Sequence, residues 1–212
     1  MKKIFFWFVL IGSIVALIGS CAKSDDETTT TATTYVSTNT TASGSITVGS
    51  ETMSGTYASA CLTNGVDNLI AGGALSSDAK AYGEAIVVIS NDNVSQELIA
   101  FSDTSCTSQL YRNRTVFDNI TVGSVSGSNY PLTLTKVAQG FTVNTTTAET
   151  WFEAIYSGLI DLTVDTELFI PYGGSTNPRY GLINLTSTTM YWTDVDDAAT
   201  PSTLSDNPLT KQ

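Results

Sequence analysis

The chain has 212 residues, enough for one domain with a real core, and it sets 20 acidic residues against nine basic ones for a formal charge of −11. So acidic a protein repels phosphate backbones and anionic headgroups, which argues against nucleic acid as a partner. It contains no histidine, and this sets aside Ser-His and Cys-His nucleophiles, most zinc sites and imidazole proton transfer near neutral pH.

Lys2 and Lys3, an apolar run from Ile4 to Gly19 and small residues before Cys21 make the three parts of an export signal: basic start, short apolar stretch, cut site. The run covers 16 residues, short of the roughly 20 a spanning helix needs. Ile18-Gly19-Ser20-Cys21 resembles the lipobox of bacterial lipoproteins. The resemblance implies a signal peptide over 1–20, lipidation of Cys21 with palmitate among its acyl chains, and a place on the bacterial outer membrane, at its periplasmic face or the cell surface. Each buried methylene adds about 0.8 kcal/mol, so several acyl chains hold a domain without a spanning helix. Loss of the signal leaves seven basic residues against 20 acidic ones, a charge of −13.

Residues 21–44 read as a disordered tether, because nine of the fourteen positions 28–41 are threonine and almost none is large and apolar. Asp25-Asp26-Glu27 is a solvated charge run on the plain reading. Together with Lys23 and Ser24 it also resembles the acidic signal that sends some lipoproteins to the cell surface.

From 45 to 197 short β-branched runs alternate with Gly, Asn, Asp and Ser, the pattern of an all-β domain. Strands are expected at 45–49, 53–60, 84–90, 94–102, 109–118, 130–137, 140–146, 161–170, 180–186 and 188–194, with tight turns at Asn91-Asp92-Asn93 and Ala138-Gln139-Gly140. About eight to ten such strands suit a single antiparallel β-barrel or closed sandwich. Cys61 and Cys106 are the pair left for a disulfide in an oxidising compartment. Trp151, Phe152, Ile155, Tyr156 and Leu159 fall at helical spacing, with Gly158 as a stop, and predict one short covering helix over about 147–157.

The segments Gly55-Thr56-Tyr57-Ala58-Ser59-Ala60-Cys61 and Phe101-Ser102-Asp103-Thr104-Ser105-Cys106 resemble small exported β-barrel domains, lipocalin-like and similar to the extracellular domain type of the adenomatosis-polyposis-down-regulated (APCDD) proteins. The resemblance spans roughly 45–195, with Tyr57 where those domains carry tryptophan, and it implies a lipocalin-like barrel. No catalytic or ligand residue carries over from it.

Other patterns have plain readings. Asp194, Asp196 and Asp197 lack the loop signature of a calcium site and read as a turn, so no metal is expected. Glu149 and Glu153 show no substrate cleft, and Gly72-Gly73 and Gly173-Gly174-Ser175 lack the lysine of a phosphate loop. Residues 198–212 read as an extended tail. The expectation is a membrane-anchored binding module with no catalytic residues and no cofactor. It would hold a small apolar ligand near Trp151, Phe152 and Tyr156. The alternative is a structural or adhesive protein with a filled barrel that meets a cell-surface macromolecule.

Overall fold

A computed structural model describes residues 33–174, 177–193 and 199–212. Cys21, the signal peptide, most of the tether and Asp194, Asp196 and Asp197 lie outside these residues. Eight antiparallel strands close into a barrel. In chain order the strands are β1 (Ile46–Val48), β2 (Glu51–Met53), β3 (Thr56–Ala58), β4 (Ala81–Val88), β5 (Val94–Phe101), β6 (Gln109–Val122), β7 (Tyr130–Val143), β8 (Glu167–Pro171), β9 (Arg179–Leu185), β10 (Thr189–Trp192) and β11 (Leu209–Lys211). Around the wall they run β3-β4-β5-β6-β7-β9-β10-β11, and β11 pairs back to β3. The β1–β2 hairpin stands outside this ring, and β8 continues the wall along β7 beyond the reach of β9. Closure leaves the ring no free edge on which another chain could template.

Side-chain parity divides the interior into tiers. Ile86, Val88, Val94, Phe117, Leu132, Leu134, Ile183 and Met190 pack one end together with Ile46, Val48 and Met53 of the hairpin. Tyr111, Phe141, Val143 and Leu162 fill the other. That second end is plugged by helix α1 (Val66–Ala71) with Leu75, and by helix α2 (Thr146–Ile155). The side chain of Thr145 caps α2 by accepting from Ala148 N at 3.1 Å. Phe152 sits edge-on to Tyr111 and to Phe141, with ring centroids 4.8 and 5.7 Å apart.

Several elements differ from the sequence expectation. The expected strand 53–60 breaks at Gly55, whose φ of +82° lets the chain pass from the hairpin into the barrel. Ala138-Gln139-Gly140 is no turn but the middle of the 14-residue strand β7. Glycine stands there because a Cβ would come within 2.7 Å of Glu167 Oε1 and 2.8 Å of Arg114 Nε, two side chains laid across it. The alternation at 161–166 belongs to a loop that sends Leu162 into the plug, and only Glu167–Pro171 is strand. Helix α1, which ends just before Gly72-Gly73, is a second helix where only one was expected. The segment read as a tail ends in β11, the strand that closes the barrel.

The end of the supposed tether is also ordered, as a strap over the outer face of β4, β5 and β6. Cys61 N donates to Thr34 O at 2.9 Å, Val36 N to Ser59 O at 3.1 Å and Ser43 N to Val88 O at 2.8 Å. Val36 fills the notch left by Gly83, where a Cβ would collide with its methyl groups. Under the strap Glu97 is 1% exposed and Arg112 4%. Glu97 accepts from Thr38, Thr40 and Ser95, while Arg112 lies 3.5 Å from Glu97 and 3.2 Å from Glu167. A buried charge pair needs such added hydrogen bonds to offset its lost hydration.

Candidate ligand cavity

Between the two apolar tiers the barrel keeps a cavity of about 400 Å³. It is lined by Glu84 of β4, Gln96 and Leu98 of β5, Asn113, Thr115 and Phe117 of β6, Lys136 of β7 and Arg179 of β9, with Tyr82, Leu69 and Ala74 toward the plug. The register explains the convergence. Glu84 pairs with Leu98, Leu98 with Asn113, Phe117 with Lys136, and Leu134 with Arg179, so polar residues at inward positions on neighbouring strands meet at one height. Each interrupts an inward row that is otherwise apolar or aromatic, as Glu84 does between Tyr82 and Ile86.

The basic groups gather at one side. Lys136 Nζ lies 4.4 Å from the centroid of the Tyr172 ring and the Arg179 guanidinium 5.8 Å from it, with Arg179 Nη2 donating to Tyr172 Oη at 3.3 Å. Tyr172 follows β8 where the wall passes from β8 to β9, and its N–H bonds Val137 O at 2.8 Å. On the opposite wall burial raises the Tyr82 hydroxyl above the usual tyrosine value, and the Glu84 charge raises it further. The Glu97 side chain belongs to the ion-pair cluster beneath the strap, where it meets Arg112.

The aromatic residues expected to touch a ligand have another place. Trp151 stacks on Tyr111 at 5.3 Å, Phe152 is 3% exposed in the plug, and Tyr156 packs edge-on to Phe141 at 5.1 Å. They are absent from the cavity lining. Burial pushes the Tyr111 hydroxyl up to about 12, and that oxygen accepts from Ser76 N at 3.2 Å, tying the α1 segment to the barrel. The residues that do line the cavity carry a readable sign: a polar or charged residue on the inward side of a strand. The sign becomes visible only once register places those residues on one level.

Cys61 and Cys106 form a disulfide, with Cα atoms 5.8 Å apart. It joins the start of the β3–β4 connection to the β5–β6 turn. Asp103 organises that turn, accepting from Ser105 Oγ at 2.6 Å, Ser105 N at 2.9 Å and Ser108 N at 2.6 Å. The Ser105 hydroxyl above all, with the backbone donors, holds its carboxyl well below the usual carboxylate range.

Comparison of the sequence with known protein families and with curated proteins gives no match.

Proposed function

We propose that this protein is a lipid-anchored, non-enzymatic binding module whose barrel takes a small molecule into its central cavity. The observation that carries the reading is the roughly 400 Å³ space between two packed tiers, within the size range of small-molecule sites. Its wall alters the ligand class expected from the sequence. Glu84, Gln96, Asn113, Thr115, Lys136 and Arg179 favour a polar compound over a purely apolar one, since unmatched polar groups disfavour hydrocarbon. The filled-barrel alternative, a structural or adhesive protein, draws on the two packed ends.

The anchor is proposed from the lipobox resemblance at Cys21, and the outer membrane from the same residues. Mass spectrometry of the membrane-extracted protein is expected to give an acylated N-terminal Cys21 peptide; an unmodified Met1 start would refute the anchor. For binding, a thermal-shift screen of the purified full chain against small polar metabolites is expected to yield compounds that raise the melting temperature. Thr115→Phe, which fills the cavity, should abolish that shift. A chain that no compound stabilises would favour the filled barrel.

A further inference from the structure

Asn113 occupies an unusual place on the cavity wall. Its inward neighbours across the sheet are Leu98 on β5 and Phe141 on β7, both apolar, so neither side offers its amide a hydrogen bond. The Oδ1 atom is buried and has no hydrogen-bond partner among the described residues. A buried acceptor left unmatched destabilises a fold by more than a typical bond stabilises it, and a donor supplied from outside removes that cost. The amide turns easily about its last side-chain bond, so a modest rotation presents the oxygen to the cavity that Asn113 lines.

The charged groups of the wall stand differently. Glu97 meets Arg112, Lys136 and Arg179 lie against Tyr172, and Glu84, Gln96, Lys136 and Arg179 each hold further interactions within the protein. A charged ligand would have to compete with those interactions or lie buried without a counter-charge, and either is costly in a partly dehydrated space. A neutral ligand avoids both. Thr115 follows Asn113 two residues along β6 on the same face, about 7 Å away, and its hydroxyl donates as well as accepts. Leu98 and Phe117, with Leu69 and Ala74 of the plug, supply apolar surface. We infer that the cavity binds a neutral organic carboxamide, its N–H given to Asn113 Oδ1, its carbonyl accepting from the Thr115 hydroxyl and its apolar body laid against Leu98 and Phe117. This inference rests on the small-molecule reading above and names its ligand class.

Four probes with one apolar body separate the possibilities: 4-phenylbutanamide, methyl 4-phenylbutanoate, 4-phenylbutyrate and 4-phenylbutylamine, titrated calorimetrically into the full chain. The amide is expected to bind roughly tenfold more tightly than either ion, and several-fold more tightly than the ester, which accepts hydrogen bonds but donates none. Asn113→Leu should lower the affinity for the amide to that for the ester and leave ester binding unchanged. Tightest binding of the carboxylate or the amine would overturn the neutral-ligand assignment. Equal binding of amide and ester would overturn the role of Asn113, and with it the carboxamide. Either result leaves the binding-module reading standing. Failure of every probe, in a protein that some unrelated compound does stabilise, would overturn the assignment too, whereas a protein that no compound stabilises loses the small-molecule reading itself. The comparison of probes on the unaltered chain decides the matter even if Asn113→Leu fails to fold.

Discussion

Gly83 and Gly140 are both glycines in mid-strand, where their missing side chains would ordinarily weaken a sheet. Each makes room for something lying across the outside of the barrel: Val36 at Gly83, and the Arg114–Glu167 pair at Gly140. Neither requires unusual backbone angles, so the space is the reason. Gly83→Val should therefore expel Val36 while leaving the barrel ladder intact, at a cost of about 1–3 kcal/mol. Hydrogen exchange is the check. Val36 N and Ser43 N should lose protection, and amides of β4 and β5 should keep theirs; unchanged protection at Val36 would show that the strap does not depend on this notch. A reader of the sequence sees glycine and expects a turn, as at Ala138-Gln139-Gly140. What glycine accommodates is a residue far away in the chain, which local pattern cannot reveal.

At the level of elements, periodicity located most strands because a half-wet strand alternates in sequence. Strand β5 and helix α2 lie within a residue or two of their expected limits. It failed where an element is short or stabilised from elsewhere. Strand β11 has three residues, preceded by a polar, proline-containing stretch, and is a strand only because β3 and β10 flank it. Leu209 is 2% exposed and completes the packed end. Deleting residues 209–212 is expected to open the barrel between β3 and β10. The truncated chain should bind a hydrophobic dye and lose cooperative thermal unfolding, whereas a sharp melt near that of the full chain would mean that closure is dispensable. The same non-locality hid the strap. Its threonines supply hydroxyls to Glu97, a use invisible until β5 is in place beneath them.

For the whole molecule, the Cys61–Cys106 bond closes a long loop containing β4 and β5. On the chain-entropy model a loop of that length contributes roughly 4 kcal/mol. Reduction is thus expected to lower the melting temperature by roughly 8–16 °C for a domain of this size. Calorimetry with and without reductant measures it, and a shift under two degrees would assign the bond a local role in the Asp103 turn instead. The barrel and the disulfide were legible because composition and cysteine count are global properties. The cavity was not, because its lining comes from five strands and the plug and exists only at their common level. The aromatic stripe of α2 drew attention for its size, yet its rings serve the plug.

Docking of the strap also sets a leash length. Were Cys21 held in a bilayer, as proposed, thirteen residues would separate it from Thr34, the earliest bonded residue among those described. Thirteen residues at full stretch span no more than about 45 Å, against about 80 Å if the chain stayed loose to residue 44. On that proposal the barrel would stay within that distance of the membrane. A ligand would then have to come to that surface, and release of the strap would nearly double the radius searched.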